Sequence, residues 1–156
     1  MLANLSFKVA LSGLVIASLT PTALMAQTPL PKKEADLIAT GNKPLTGAQI
    51  SALVVGKTAY VTMLAPGGSF AAGSRYYVYY RDAKTRVVAP SRAGAFKKFE
   101  ANWWTEGDKL CVEVQVTREA NSCYSVHQIS SDLYQCNHRG DCNLQWHLVA
   151  GNPEKL

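Results

Sequence analysis

The segment Arg75–Arg81 (RYYVYYR) places cations and aromatic rings at alternate positions. Side chains two residues apart on a β-strand lie on the same face of the sheet. We therefore expect Tyr76, Val78 and Tyr80 to face the core. The opposite face is then expected to carry Arg75, Tyr77, Tyr79 and Arg81. Because guanidinium groups bind carboxylates and phosphates, and exposed aromatic rings stack on flat ligands, this face is predicted to bind an anionic ligand.

The basic character continues along the chain. Between Arg75 and Lys98 there are seven basic residues and one acid, Asp82, in a chain of net charge +5. We predict that Lys97 and Lys98 extend the anion-binding face. The expected ligand is a cell-envelope glycan, a lipid headgroup or an acidic exported protein rather than a nucleic acid. The alternative is an ordinary solvated sheet face whose tyrosines cover neighbouring strands.

Trp103 and Trp104 are adjacent, so on a strand one side chain points inward and the other outward. Because Trp104 lies just before the loop Glu106-Gly107-Asp108, we expect it to anchor the core. Trp103 is then expected on the outer face, where its indole can stack on a sugar ring or contact a partner protein. In the alternative, the amino-terminal helix covers both rings.

Four cysteines, Cys111, Cys123, Cys136 and Cys142, occur in the chain. An even number of cysteines in an exported protein favours two disulfides, and four cysteines allow three pairings. We favour the sequence-local pairs but leave the pairing open. The competing zinc site would use Cys136, His138, Cys142 and His147. Their spacing does not match common structural zinc patterns, so we expect no metal and no other cofactor.

Two further motifs have a functional interpretation. The loop between the last two cysteines carries Arg139-Gly140-Asp141, which resembles the integrin-recognition tripeptide, although Gly-Asp is also common turn chemistry. Glu100 and Glu113 can share a face, as the two carboxylates of a glycoside hydrolase must. The chain has no nucleophile elbow, zinc-protease helix or phosphate loop, so we expect a protein that is not an enzyme.

Residues 1–26 are typical of a signal peptide, since the apolar run Val9–Leu19 is followed by small residues up to Ala26. Cleavage near Ala26 predicts a periplasmic or secreted protein with no transmembrane segment in the mature chain. An uncleaved anchor is the alternative. Residues 27–44 contain three prolines and are predicted to form a flexible leader, with at most a short helix near Glu34–Ile38.

Residues 45–156 are predicted to form a single β-rich domain. Thr46 and Gln49 have the spacing of a capping box, which marks the start of one short helix. After Gly56, alternating β-branched and aromatic residues predict about seven strands. The predicted strands are Lys57–Leu64, Arg75–Arg81, Thr85–Ala89, Lys97–Thr105, Lys109–Thr117, Cys123–Ile129 and Leu144–Ala150. The predicted fold is mainly β, an antiparallel barrel or sandwich with one amino-terminal helix.

Several short motifs resemble a family of small exported proteobacterial proteins known as a domain of unknown function. These motifs are Leu45–Ile50, Gly56-Lys57-Thr58, Trp104 with Gly107–Cys111, the later Cys123, and Gly151-Asn152-Pro153-Glu154. The resemblance implies a disulfide-stapled β-domain and no known chemistry. The tyrosine-rich strand and the pair Cys136/Cys142 depart from the family pattern.

These observations predict an exported, non-enzymatic β-domain that binds an anionic component of the cell envelope. The predicted ligand-binding residues are Arg75, Tyr77, Tyr79, Arg81, Lys97, Lys98 and Trp103. One alternative is an inhibitor or accessory protein that docks on another exported or host protein through the Trp103 face or a loop. The other alternative is a glycan hydrolase built on Glu100 and Glu113.

Overall fold

The computed structural model describes residues 33–66, 70–91, 97–113 and 122–156. Over these residues the chain forms two short helices and eight antiparallel strands, which close into a barrel. The helices are α1 (Glu34–Ala39) and α2 (Gly47–Val54). The strands are β1 (Lys57–Met63), β2 (Arg75–Tyr80), β3 (Thr85–Pro90), β4 (Phe99–Glu106), β5 (Lys109–Val112), β6 (Ser122–Ile129), β7 (Asp132–Cys136) and β8 (Cys142–Ala150). The predicted fold class is confirmed.

Each strand pairs with the next along the chain, and β8 pairs with β1 to complete the barrel. The turns 81–84, 107–108 and 130–131 lie at one end, which we call the helix end because α2 covers it. At the opposite end, the loop end, lie the described residues 64–66, 70–74, 91, 97–98, 113 and 137–141. Strand β7 is the one that the sequence analysis missed. Positions 114–117 of the fifth predicted strand lie outside the described residues.

The barrel interior is filled by large aromatic side chains. Tyr80, Trp103 and Trp146 are each at most 2% exposed. The Tyr80 ring meets Trp103 edge-on at a centroid distance of 5.2 Å and lies 6.1 Å from Trp146. Small and branched residues such as Ala59 and Val78 complete the layers between these rings. An eight-stranded barrel is just wide enough for such side chains to fill it.

Helix α2 closes one end of the barrel. The predicted capping box is present, because Thr46 Oγ1 accepts from Gln49 N and Gln49 Oε1 accepts from Thr46 N. Ile50 and Val54 are fully buried in the core. A Cβ atom on Gly47 would lie 2.4 Å from the carbonyl oxygen of Gly107, so a glycine permits this close approach.

Residues 33–44, which the sequence predicted as part of a flexible leader, are packed against the outer wall of the barrel. We call this segment the strap. Leu37 on α1 is 1% exposed and clusters with Tyr134 and the disulfide Cys136–Cys142. The short helix expected near Glu34–Ile38 is therefore present as α1. The predicted signal peptide lies outside the described residues.

Both favoured disulfides are present, Cys111–Cys123 across β5 and β6 and Cys136–Cys142 between β7 and β8. The sulfur atoms are therefore not free thiolates, which removes the basis for the zinc alternative. No helix within the described parts of the chain has the length and apolar character needed to traverse a lipid bilayer.

Candidate functional site

The outer face of β2 carries three of the predicted ligand-binding residues. Arg75 is exposed and Tyr77 and Tyr79 are partly exposed, whereas Val78 and Tyr80 are buried, so the predicted alternation is confirmed. Tyr77 contacts Tyr60 of β1 edge-on at 5.0 Å. Tyr60 and Tyr77 therefore lie side by side on the outer wall of the barrel. Tyr79 lies on the same face of β2, so these rings can contact a ligand.

Small residues separate these tyrosines from the next strand. Val87 lies opposite Tyr79 and Ala89 lies opposite Tyr77 on the outer face, and both are at most 6% exposed. The outer face of β3 next to the two tyrosines is therefore apolar and covered.

Three predicted cations lie at the loop end of their strands, with β3 between Arg75 and the two lysines. Arg75 begins β2, and Lys97 and Lys98 immediately precede β4; all three are exposed. Within the described residues none of them forms an ion pair. Arg92, from the same basic cluster, lies outside the described residues. We call the set Arg75, Tyr77, Tyr79, Lys97 and Lys98 the basic–aromatic surface.

Arg81 does not join this surface. It lies at the helix end, where its Nη1 donates to Glu100 Oε1 at 2.9 Å and its Nε lies 3.5 Å from Asp82 Oδ2. The hydrogen bond and charge of Glu100, followed by those of Asp82, raise the pKa of Arg81 above its ordinary value. The guanidinium is therefore neutralised by two carboxylates. The prediction of Arg81 as a ligand-binding residue loses its electrostatic basis.

Trp103 points inward, so its predicted position on the outer face is wrong. Its side chain is 1% exposed, and its Nε1 donates to the carbonyl oxygen of Asp82 at 2.9 Å. Trp104 is the outward indole and is partly buried opposite Cys111. The pattern around them carried this information, because the polar residues Glu100 and Asn102 share the parity of Trp104.

The carboxylates and the tripeptide of the alternative hypotheses have other partners. Glu113 accepts from the backbone and side chain of Asn102, and Glu100 binds Arg81. Asp141 of the Arg-Gly-Asp tripeptide pairs with Lys33, and the Gly140 carbonyl accepts from the Glu34 backbone N–H. The strap thus contacts Gly140 and Asp141, whereas Arg139 is exposed.

A buried histidine joins the strap to the barrel. The His127 side chain is fully buried, with Nδ1 2.9 Å from the Asn42 carbonyl oxygen and Nε2 2.9 Å from Glu34 Oε1. Each ring nitrogen of His127 therefore has an oxygen atom of the strap within hydrogen-bond distance. Burial raises the pKa of Glu34, but hydrogen bonds from Ser125 and His127 and the charges of His127 and Lys109 outweigh it and lower that pKa overall.

An open cleft of about 540 Å³ lies beside this contact, between the strap and the turn that joins β4 to β5. Its charged residues are Glu34, Glu106, Asp108 and Lys109. Glu106 also lies within 4.8 Å of the sulfur atoms of Cys111 and Cys123. Because those sulfurs form a disulfide, Glu106 alone retains a free ligand atom, and this cluster does not make a metal site.

Arg86 belongs to the basic segment Arg75–Lys98, but it was not predicted to bind a ligand. Arg86 faces inward, opposite Tyr80 on β2 and Ala101 on β4. Its Nη2 donates to the carbonyl oxygen of Glu113 at 3.1 Å, whereas its buried Nε has no hydrogen-bond partner. The described basic residues of this segment therefore lie in three places: the loop end, the helix end and the inner face of the barrel.

Comparison of the chain with protein-family models, with curated proteins and with solved structures finds no match.

Proposed function

We propose that the protein is exported and binds an anionic glycan of the cell envelope through the basic–aromatic surface. The main support is that Arg75, Lys97 and Lys98 are exposed and form no ion pair within the described ranges. They lie at the loop end of the part of the sheet whose outer face carries Tyr77 and Tyr79. Cations pair with the carboxylates or phosphates of a charged glycan, and aromatic rings pack against its sugar rings. The resemblance to an exported family stays a prediction.

Export is supported by the chemistry of the cysteines. All four are joined in disulfides, and disulfides persist mainly in oxidising compartments. We propose a glycan rather than a lipid headgroup because Tyr77 and Tyr79 lie along the barrel wall and can support a chain of sugar rings. A protein partner docked through Trp103 has no support, because that indole is buried.

The test is retention on an immobilised uronic acid polymer such as alginate. We expect Arg75→Glu/Lys98→Glu to weaken binding at least about tenfold at low salt, because two attractive charges become repulsive. Binding of the parent is expected to fall as salt rises, since exposed charge pairs are screened. The matched control Lys84→Glu/Lys155→Glu makes the same change in net charge away from the surface and should retain binding.

Equal loss in both double variants would show a response to net charge alone and would contradict the proposed surface. Unchanged binding in Arg75→Glu/Lys98→Glu would contradict it as well. Retention on anionic phospholipid vesicles, but not on the polymer, would replace the glycan by a lipid headgroup. Intact mass and thiol titration of the natural protein test export separately, with cleavage near Ala26 and no free thiols expected.

A further inference from the structure

The two disulfides differ in their exposure to solvent. Cys136 and Cys142 are at most 2% exposed, and Leu37 of the strap packs against them; we call this pair the strap disulfide. Cys111 is fully buried, but its partner Cys123 is partly exposed and lines the open cleft of about 540 Å³. We call this second pair the cleft disulfide. Because access limits the attack of a thiol on a disulfide, the cleft disulfide is the more reactive of the two.

The cleft disulfide joins the strands that share the shortest ladder of the described barrel. Strand β5 pairs with β6 through Leu110, Cys111 and Val112 alone. Strand β1, by contrast, pairs with β8 along its whole length. A covalent link therefore reinforces the ladder that has the fewest hydrogen bonds of its own. Once that link is broken, we expect the barrel to open between β5 and β6 before it opens elsewhere.

A carboxylate lies beside the sulfur atoms of the cleft disulfide. Glu106 Oε2 is 3.9 Å from Cys111 Sγ, and a carboxylate oxygen of Glu106 lies within 4.8 Å of Cys123 Sγ. Lys109, the cross-strand neighbour of Glu106, forms no ion pair with it in the described structure. A negative charge repels an incoming thiolate and disfavours the thiolate that leaves. We therefore expect Glu106 to slow attack on this disulfide.

We propose that the cleft disulfide is a site of thiol–disulfide exchange, at which a small thiol or dithiol attacks Cys123 Sγ. The thiolate bonds to Cys123 Sγ, the Sγ–Sγ bond breaks, and Cys111 leaves as a thiolate that takes a proton from water. A second thiolate then attacks the external sulfur of the mixed disulfide and releases Cys123, which is protonated in turn. The cystine gains two electrons, and the two external thiols are oxidised to a disulfide. This site is separate from the basic–aromatic surface, and its chemistry does not require glycan binding.

The test compares the two disulfides in the full folded protein treated with reduced glutathione at neutral pH. The reaction is stopped with acid, and the free thiols are labelled and located by peptide mass spectrometry. We expect the cleft disulfide to open at least about tenfold faster than the strap disulfide, because only the former has a partly exposed residue. The glutathione adduct should form on Cys123, since Cys111 is fully buried.

Two variants should change the two rates separately. Glu106→Gln removes the charge beside the cleft disulfide and should speed its opening about 2–5-fold, a modest factor because the carboxylate is exposed. The matched control Asp36→Asn removes the same charge from a residue that does not line the cleft, and should leave that rate unchanged. Leu37→Ala uncovers the strap disulfide and should speed the opening of that disulfide alone.

A second measurement tests the structural consequence. In Cys111→Ser/Cys123→Ser, hydrogen exchange at the β5 amides should be at least about tenfold faster than in the parent, whereas the amides of β1 and β8 should stay protected. If this variant does not fold, the same exchange is measured on the parent after glutathione has opened the cleft disulfide.

Several results would overturn the proposal. Opening of both disulfides at one rate would show that reduction follows global unfolding. Faster opening of the strap disulfide, an adduct on Cys111, or a uniform loss of amide protection across the barrel would also contradict it. A rate that is unchanged in Glu106→Gln, or raised equally in Asp36→Asn, would overturn the effect assigned to the carboxylate.

Discussion

Trp103→Ala is expected to lower the free energy of unfolding by about 3–5 kcal/mol, the usual cost of truncating a buried aromatic side chain. The indole is 1% exposed and packs edge-on against Tyr80, so its removal leaves a cavity at the centre of the barrel. It also leaves the Asp82 carbonyl without its donor. Because small domains are stable by about 5–15 kcal/mol, the variant should be marginal. Chemical denaturation followed by circular dichroism measures this difference.

Trp104→Ala is the matched control, since it removes the same side chain from the neighbouring position on the outer face. We expect it to cost about 1 kcal/mol, because the ring is only partly buried. If Trp104→Ala were the more destabilising variant, the inward orientation of Trp103 would be wrong. The comparison also matters for tests of partner docking. If Trp103→Ala is strongly destabilised, its loss of partner binding would reflect unfolding rather than the loss of a contact with the partner.

Glu34→Ala is expected to have the second largest effect, about 1–3 kcal/mol, because it leaves the fully buried Nε2 of His127 without its hydrogen-bond partner. His127 stays fully buried, and its Nε2 loses the 2.9 Å contact with the carboxylate. The strap should detach more readily as a result. Chemical denaturation and hydrogen exchange at the Glu34 and Asn42 amides, which bind Gly140 and Leu37 carbonyls, measure the loss.

Asp36→Ala is the control for Glu34→Ala, because Asp36 lies on the exposed face of the same helix. We expect it to change the unfolding free energy by less than about 0.5 kcal/mol. Glu34→Gln keeps an acceptor oxygen and should fall between the two. Protection of the strap amides that is identical in all three variants would exclude a role for the His127 contact in holding the strap.

The same carboxylate gives the contact a pH dependence. The pKa of Glu34 is lowered in the folded protein, so its stabilising contribution is present above its ordinary value of 4.5. That contribution is lost as the pH falls through the lower, folded-state value. The difference in unfolding free energy between the parent and Glu34→Gln should therefore shrink below pH 4.5. A difference that stayed constant with acidification would show that the ionised Glu34 carboxylate contributes no stability.

The sequence predicted those elements whose signals are local. The capping box of Thr46 and Gln49 and the alternation of Arg75–Arg81 depend on neighbouring residues, and both are confirmed. The pairing Cys111–Cys123 was favoured as sequence-local and left open; it is present, between residues that lie directly opposite each other. Such features are specified before any distant part of the chain is in place.

Most features that the sequence did not predict correctly depend on contacts between distant parts of the chain. Arg81 is neutralised by Glu100 of β4, a partner that only the strand pairing brings near. Trp103 is the exception, because its inward orientation is indicated locally by the polar residues Glu100 and Asn102 on the opposite face. Strand β7 was not predicted, because it has only five residues and runs directly into the cysteine loop. The strap contact with His127 joins residues 93 positions apart.

The pairing of β1 with β8 also bears on how quickly the protein folds. Thr58 lies opposite Val149 and Tyr60 opposite His147, so the final ladder unites segments separated by most of the domain. Contacts this remote in sequence slow folding, because chain entropy is lost before the ladder forms. A nascent chain cannot complete its hydrogen-bonded circumference until β8 has been synthesised. Until then, β1 keeps an unpaired edge that chaperones can recognise.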